Sequence, residues 1–233
     1  MKIDHKKYEN YLPDQIPNGI EDLSPKLEIF GDDKIECWYA PLGKINTKAT
    51  IALYGITPGW TQMQIAYRIA LRPKKGDKLK AMSTIAFAGS MRKNLIEMFD
   101  ELGVHRYFQV DSFADLFGTK ILAYSSILKY PVFSGGKNYN GYKPDLLSHP
   151  FLRSMLESVL VSELREFKNC LIIPLGKKAA EGIFYVRKRV KLEKQQILSG
   201  FPHPSGANAH RVRQFSENKM KLSNQVQAWF EST

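Results

Sequence analysis

The sequence predicts an α/β fold: a three-layer α/β/α sandwich around a central, mostly parallel β-sheet. Two observations carry this prediction. Apolar runs of strand length, such as TIALYGI (50–56) and CLIIPLG (170–176), recur without polar alternation, and amphipathic helical patterns lie between them. A strand that is apolar throughout is covered on both faces, and a helix between successive strands makes those strands parallel.

Further strands are predicted from local composition. YFQVD (107–111) and KILAYSSIL (120–128) are rich in β-forming residues, and the second run can end at its serines. A short strand is expected to end over 197–201, directly before FPHP. The stretch FSGGKNYNGYKPD (133–145) is predicted to be a loop, because glycine, asparagine and proline interrupt regular structure.

Helices are predicted where apolar residues recur at helical spacing. The first begins at Ser90, a residue type that caps helices, and ends at Gly103, while another begins at Gly176. The apolar stripes that define the remaining helices are Leu152, Leu156, Val159, Leu160 and Phe167, and then Leu222, Val226, Trp229 and Phe230.

Chain length and net charge limit the possible domain organisation and the kind of binding partner. The 233 residues contain no repeat or linker, so we expect one domain over 1–233, with a polar N-terminal lead-in over 1–45. Lysine and arginine number 34 against 23 acidic residues, for a net charge of +11. Such a chain favours a polyanionic partner, with nucleic acid first among the candidates.

The two cysteines exclude several classes of protein. Cys37 and Cys170 are far apart, with no CxxC or His/Cys spacing, so neither a disulfide framework nor a thiolate metal site is predicted. We expect no metal and no cofactor. No signal peptide and no apolar segment of membrane-spanning length is visible, and the sequence therefore favours a cytoplasmic protein without a membrane partner.

Three loops should converge at one edge of the predicted sheet. They are GITPGWTQ (55–62), SSILKYPVF (125–133) and FPHPSGANAHR (201–211). Ligands of parallel sheets bind outside the carboxyl ends of the strands, where such loops lie. In the last loop His203 stands between two prolines, which restrict the backbone and can aim one imidazole.

Four stretches resemble the uracil-DNA glycosylase superfamily. GITPG (55–59) is similar to its first motif, and HPS (203–205) is similar to its second. AFAGSMRKNLIEMFDELGV (86–104) resembles the family's aromatic-glycine turn and following helix, and LIIPLGKKAAEGI (171–183) resembles its strand and LGxxA helix. The stretches occur in the family's order, so the resemblance implies its fold and a DNA glycosylase that flips a base out of the stack.

The resemblance also implies residue roles. Phe87 would stack on the flipped base, and His203 would stabilise negative charge growing on the leaving base. Thr57 would hold the attacking water as the second catalytic residue. The residues that would form the base pocket are Gly55, Ile56, Gly59, Gln62, Phe87, Ser125 and Ser126. The residues that would contact DNA, by filling the vacated duplex or gripping phosphate, are Pro204, Ser205, Gly206, Ala207, Asn208 and Arg211.

Departures from the family pattern shape the expected substrate. Thr57 stands where well-studied branches have Asp or Asn, and threonine cannot act as a carboxylate base. Ser125 and Ser126 stand near the position of an asparagine that reads the uracil edge. Since serine is smaller and lacks that paired reading, we expect a modified, bulky pyrimidine, for instance one found in phage DNA.

The expected enzyme is a monomeric, monofunctional glycosylase that leaves an abasic site. No lysine lies in a recognisable site, which favours water over Schiff-base attack. Two cysteines cannot hold the four-cysteine iron–sulfur cluster of some branches. Ordinary uracil excision in DNA repair and a catalytically silent DNA-binding member of the fold remain the alternatives.

Overall fold

The computed structural model describes residues 3–71, 83, 86–87 and 89–232. The strands are β1 (Glu28–Gly31), β2 (Glu36–Trp38), β3 (Ile51–Gly55), β4 (Leu122–Ser126), β5 (Val132–Ser134), β6 (Lys137–Asn138) and β7 (Leu171–Pro174). The helices are α1 (His5–Glu9), α2 (Trp60–Leu71), α3 (Ser90–Glu101), α4 (Pro150–Met155), α5 (Val161–Arg165), α6 (Lys177–Val190) and α7 (Arg211–Glu231). A π-helical turn, Leu156–Leu160, joins α4 to α5.

The fold is mixed α/β with a parallel sheet, as the apolar runs predict. Strand β3 lies between β4 and β7 and is parallel to both. Gly55 pairs with Ser126, and Tyr54 pairs with Ser125 on one side and Pro174 on the other. This register aligns the carboxyl ends of the strands, so the loops that follow them begin at one edge.

Both faces of this sheet are buried. Ala52 and Tyr54 of β3 belong to one apolar cluster, which also contains Met63 of α2 and Ile183 of α6. The alternate residues of β3 belong to a second cluster, together with side chains of α3 and α7. Burial on both sides explains why polar residues do not alternate along the strand. No helix in the described ranges is long and apolar enough to cross a membrane.

A second sheet was not predicted. Strands β1, β2, β5 and β6 form an antiparallel sheet in that order, so the N-terminal segment pairs with the chain that follows β4. The stretch 133–145 is therefore partly wrong as a loop, since β6 and the end of β5 lie within it. Gly135 and Gly136 both have positive φ, the Gly-Gly signal of a tight hairpin.

Two predicted strands are wrong. Residues 107–111 are not a strand: a 3₁₀ helix, Val104–Phe108, precedes Gln109, which is in the left-handed region. The aromatic rings of this segment pack on Phe230 of α7 instead of joining the sheet. At 197–201 the chain runs beside β7 without forming a strand. One parallel bridge joins Ile197 to Ile172, and Gly200, with φ of +98°, interrupts the extended backbone before the Phe201 carbonyl accepts from the Gly176 amide.

The helix predictions hold with one change at a terminus. Helix α3 is capped by Gly89, with φ of +76°, and Ser90 is its first helical residue. Helix α6 begins directly after Gly176, as expected. Ala88, part of the sequence stretch that resembles the family's aromatic-glycine turn, lies outside the described residues.

Candidate functional site

A pocket of about 630 Å³ lies at the carboxyl edge of the parallel sheet. The loops that follow β3, β4 and β7 form one side, and the chain from β6 onward forms another. Most of the predicted site residues line it: Gly55, Ile56, Thr57, Gly59, Gln62, Phe87, Ser125, Ser126, His203, Ser205, Ala207 and Asn208. Pro204, Gly206 and Arg211 are not among the lining residues, so the pocket includes half of the predicted DNA-contacting set.

Phe87 lies over the end of β3. Its Cε1 would be 3.6 Å from a Cβ placed on Gly55, and Ser126 Oγ would be 3.5 Å from that same atom. Phe87 itself has φ of +50°, a conformation that costs energy in an aromatic residue. The turn is held by Arg92 of α3, which donates from Nη2 to the Ala86 carbonyl at 2.6 Å and also to that of Ser83.

Arg92 is fixed from its other side as well. Its guanidinium lies 4.7 Å from the centroid of the Phe117 ring, and burial lowers its pKa. A stacked, partly desolvated guanidinium that also binds carbonyls is a rigid anchor. Sequence reasoning missed this residue, although an arginine one helical turn after an aromatic-glycine turn is a detectable signal.

The two serines at the end of β4 differ in their hydrogen bonding. Ser125 Oγ is inaccessible to solvent and has no hydrogen-bond partner among the described residues. An unsatisfied buried hydroxyl costs about 1–3 kcal/mol, which a ligand that bonds to it can recover. Ser126 lies opposite Gly55, so its side chain shares the open space in front of the glycine.

Thr57 connects the first loop to the chain beyond β4. Its Oγ1 donates to the Tyr130 carbonyl at 3.0 Å and accepts from the Val132 amide at 3.0 Å. Its only proton is therefore committed, and a water could approach it only as a donor to the remaining lone pair. Gln62 is also engaged, because its Oε1 accepts from the Gly59 amide at 3.1 Å.

His203 is oriented through its own loop. Its Nδ1 accepts from the Ser205 amide at 3.3 Å, so in the neutral ring the proton lies on Nε2. Nε2 has no partner within the described part of the chain. Burial lowers the pKa of His203 from its ordinary 6.5, which favours the neutral ring at pH 7.

Gly176 permits the approach of His203 to the sheet edge. A Cβ on Gly176 would lie 2.9 Å from His203 Cβ and 3.3 Å from its backbone nitrogen, and the glycine has φ of +92°. The Gly176 amide also donates to the Phe201 carbonyl at 3.0 Å. Both the space and the conformation therefore require glycine at this position.

The loop after His203 is held by local hydrogen bonds. Asn94 of α3, which is buried, donates to the Pro204 carbonyl at 2.7 Å. Asn208 donates to the His203 carbonyl at 3.1 Å. Arg211, expected to contact phosphate, donates from Nη1 to the Ser205 carbonyl at 3.1 Å, so part of its guanidinium supports the loop.

The chain from β6 onward supplies a wall that we call the hairpin wall, formed by Asn138, Tyr139, Asn140 and Tyr142. Asn138 Oδ1 accepts from the Trp60 amide at 3.0 Å, which caps the N-terminus of α2. Tyr139 is buried and donates to the Pro144 carbonyl at 2.6 Å. The wall is thus attached to the helix that follows β3.

Three lysines also line the pocket: Lys129, Lys177 and Lys178. No aspartate or glutamate is among its described lining residues. The expectation that no lysine lies in a recognisable site did not anticipate these residues. A signal is present, because Lys177 and Lys178 directly follow the Leu-Gly pair after β7, and Lys129 lies three residues after the serines of β4.

Two of these lysines are paired with carboxylates. Lys129 Nζ lies 2.9 Å from Glu163, which also accepts from the Tyr54 hydroxyl at 2.9 Å. Lys178 Nζ lies 2.8 Å from both Asp145 and Glu181, and its hydrogen bond lowers the pKa of Asp145 to about 2. Lys177 forms no ion pair with any described residue.

Comparison with known proteins places the chain in a family. The uncharacterized protein YoxB of Bacillus subtilis strain 168 is 36% identical over 230 residues, which cover 94% of this chain and 90% of YoxB. This chain belongs to the YoxB family. The similarity extends over nearly the whole of both chains and is therefore not confined to a single motif. No protein-family model and no solved structure matches the chain.

Proposed function

We propose that this protein is a DNA glycosylase of an atypical branch of the uracil-DNA glycosylase superfamily, with that family's three-layer fold. It flips a modified pyrimidine into the pocket and hydrolyses the N-glycosidic bond, leaving an abasic site. One observation carries the proposal: Phe87 and His203, from turns more than a hundred residues apart, line one pocket at the carboxyl edge of a parallel sheet.

The flipped base stacks on the Phe87 ring where the ring faces the pocket. Gly55 lets the ring lie close to the end of β3, because a Cβ there would already be 3.6 Å from Phe87 Cε1. Ser125 and Ser126 bond the base edge, and the Ser125 hydroxyl, which has no partner among the described residues, gains a hydrogen bond there. Recovery of that buried group offsets part of the cost of unstacking.

His203 stabilises the leaving base. As the glycosidic bond breaks, negative charge grows on the base oxygens, and the Nε2–H of a neutral imidazole donates to one of them. The Ser205 amide supports this role because it holds the opposite nitrogen as an acceptor. A preorganised donor of this kind contributes several kcal/mol to lowering the barrier.

Departure of the base precedes water attack in this proposal. The described lining residues include no carboxylate that could deprotonate water, whereas three lysines offset negative charge. Thr57 can accept a hydrogen bond from the water, which leaves a lone pair of the water oxygen free to attack C1′. The proton that the water loses as it bonds to C1′ neutralises the departed base anion. The sugar cation is stabilised by the DNA phosphates.

The size and lining of the pocket favour a bulky base. A volume of about 630 Å³ is typical of pockets for ligands much larger than a pyrimidine. Beyond the base position, the amides of Asn138 and Asn140 and the ammonium groups of the pocket offer hydrogen bonds to a polar substituent. Such modified pyrimidines occur in phage DNA, and we place the protein in the cytoplasm, where it would meet that DNA.

The decisive experiment supplies DNAs that carry different modified pyrimidines, with a matched uracil DNA. Abasic sites are detected by alkaline strand cleavage, and the released base is identified by mass spectrometry. Release of a bulky modified pyrimidine in preference to uracil is expected. Faster release of uracil would favour ordinary uracil repair. If the DNA strands resist alkali whichever base they carry, no abasic site has formed, and the alternative of a catalytically silent DNA-binding protein is supported.

His203→Ala tests the mechanism. We expect the single-turnover rate to fall about 10²-fold or more, with DNA affinity nearly unchanged. The matched control is His210→Ala, since His210 is exposed and does not line the pocket. If His203→Ala weakens DNA binding but leaves the single-turnover rate unaltered, then His203 contributes to DNA binding and not to catalysis.

The pH dependence of the wild-type enzyme follows from the same histidine. Because the neutral ring is the active form and its pKa is lowered, the rate should stay constant through pH 6.5 and fall about tenfold per pH unit below the folded-state pKa. The stability supplied by a neutral buried histidine is complete above 6.5 and decreases as the pH falls, since the unfolded chain binds the proton first. Single-turnover rates between pH 4 and 8 measure the first effect.

A further inference from the structure

A second cavity lies beside the pocket and shares one residue with it. This open groove, of about 490 Å³, is lined by Asp33, Lys34, Ser134, Gly135, Tyr142, Lys143 and Pro144. Tyr142 lines both the groove and the pocket. The two cavities are therefore neighbours on either side of this ring, and a ligand that extends out of the pocket past Tyr142 would reach the groove.

Tyr142 is an exposed aromatic residue in a fixed position. It is 55% exposed, while Lys178 Nζ lies 5.0 Å from its ring centroid. Lys178 is itself held by Asp145 and Glu181 at 2.8 Å. The backbone below is also packed, because a Cβ on Gly141 would lie 2.7 Å from Lys178 Cβ. A ring held in this way loses little entropy when a ligand stacks on it.

The groove beside the ring carries unpaired cations. Neither Lys34 nor Lys143 forms an ion pair with another described residue, and Asp33 is the one acidic residue among those that line the groove. The Ser134 hydroxyl donates to the Lys34 carbonyl at 2.9 Å, which fixes the backbone at that lysine. An aromatic platform flanked by lysines matches a base followed by its phosphate.

We propose that this groove binds the single strand next to the flipped nucleotide, with a neighbouring unpaired base stacked on Tyr142 and its phosphate on Lys34 and Lys143. This inference rests on the proposed function, because it takes DNA as the substrate. It adds a strand preference: the protein engages DNA that is single-stranded beside the target base. A paired base cannot stack on Tyr142 without leaving its duplex.

The test measures binding to a fluorescent oligothymidylate of about 12 nucleotides, within the usual site size of single-strand binding folds, and to a duplex of equal length. Neither DNA contains a modified base, so excision does not contribute. Tyr142→Ala should weaken single-strand binding about tenfold, the scale of one base–aromatic stack, and change duplex binding much less. Tyr142→Phe, which keeps the ring, should bind like wild type.

Two further variants separate stacking from charge and from general effects. Lys143→Ala should lower the slope of log affinity against log salt by about 1, whereas Tyr142→Ala should leave that slope unchanged. Tyr107→Ala is the matched control, since Tyr107 is 43% exposed and stacks on Phe230 away from both cavities. Thermal unfolding of each variant checks that it is folded.

The outcomes distinguish this inference from the proposed function. If wild type and Tyr142→Ala bind the single strand with equal affinity, the proposed groove is wrong. It is also wrong if Tyr142→Ala loses the same affinity for single strand and duplex. Neither outcome bears on glycosylase activity, which the excision assay tests separately. A wild-type protein that binds neither DNA overturns both proposals. Single-strand binding that depends on Tyr142, in a protein that excises no base, supports the groove and refutes the glycosylase.

Discussion

The two sides of the pocket are built in different ways. The sheet-edge side is formed by strand ends whose register is set by backbone pairing, such as Gly55 opposite Ser126. The hairpin wall has a shorter backbone pairing, between β5 and β6, and is otherwise held by side chains: Asn138 caps α2, and Lys178, which binds Asp145 and Glu181, lies 5.0 Å from the Tyr142 ring. The longer ladder of the parallel sheet positions its groups more rigidly than this short pairing does. We therefore assign the bond-breaking chemistry to the sheet edge and the choice of base to the hairpin wall.

The largest effect is expected from Gly176→Ala, which disturbs the sheet edge. The new methyl group would collide with His203, and φ of +92° strains any residue with a Cβ. We expect the single-turnover excision rate to fall about 10²-fold, as when a preorganised donor is displaced. Quench-flow or manual quench kinetics on the excised DNA measure the rate.

The matched control for this variant is Gly103→Ala. Gly103 has a similar φ of +71°, but a Cβ there would meet only the Arg106 side chain, at 3.7 Å. Gly103→Ala should lose about 1–2 kcal/mol of stability, because Gly103 is in the left-handed helical region. Gly176→Ala should lose at least as much, because ψ of 170° places Gly176 in a region almost exclusive to glycine, and only this variant should lose excision. An equal loss of excision in both would mean that the effect is general destabilisation.

The second prediction concerns the hairpin wall. Lys178→Met keeps most of the side-chain length but leaves Asp145 and Glu181 without their shared cation. We expect the preference for a bulky base over an unmodified one, measured as a ratio of kcat/KM, to fall about tenfold, mainly through KM. The single-turnover rate at saturation should change little.

Lys177→Met is the control for the loss of a pocket cation. Lys177 lines the same pocket and is paired with no described carboxylate, so its removal changes the charge without releasing the wall. If both variants lower the base preference equally, positive charge alone selects the substrate. If Lys178→Met abolishes the single-turnover rate, then the division of roles between the two sides is wrong.

The sheet edge was largely predictable, for a physical reason. A buried parallel strand has to be apolar along its whole length, which makes β3 and β7 visible in the sequence, while the turn after β3 and the loop before α7 carry Gly, Pro and His. The hairpin wall was not predictable in the same way. Its strands are two or three residues long, and its contacts join residues as distant as Lys178 and Asp145. Such pairing depends on the completed fold.

Local signals also misled where tertiary contacts outweigh propensity. YFQVD has strand composition, yet Tyr107 and Phe108 contact the Phe230 ring of the final helix, and the segment does not pair with the sheet. Thr57 and Gln62 both line the pocket, as predicted, but their side-chain oxygens are also bound to backbone groups, which the sequence does not indicate. Polar residues of a tight turn often satisfy the turn first.

The smallest predicted effect is also the sharpest test of the sheet edge. Ser125→Ala removes a buried hydroxyl that has no partner among the described residues, so no hydrogen bond within that part of the fold is lost. We expect the free energy of unfolding to stay the same or rise slightly. Affinity for the substrate base should fall about fivefold, near 1 kcal/mol, because the base loses one hydrogen bond.

Ser112→Ala should show the reverse pattern. The Ser112 hydroxyl donates to Asp100 at 2.7 Å and accepts from the Ala114 amide in a capping box away from the pocket. Its loss should cost about 1 kcal/mol of stability without changing affinity. Chemical denaturation and equilibrium titration measure both quantities. If Ser125→Ala destabilises the protein while affinity is unchanged, its hydroxyl is structural, and the base edge must be recognised by other groups.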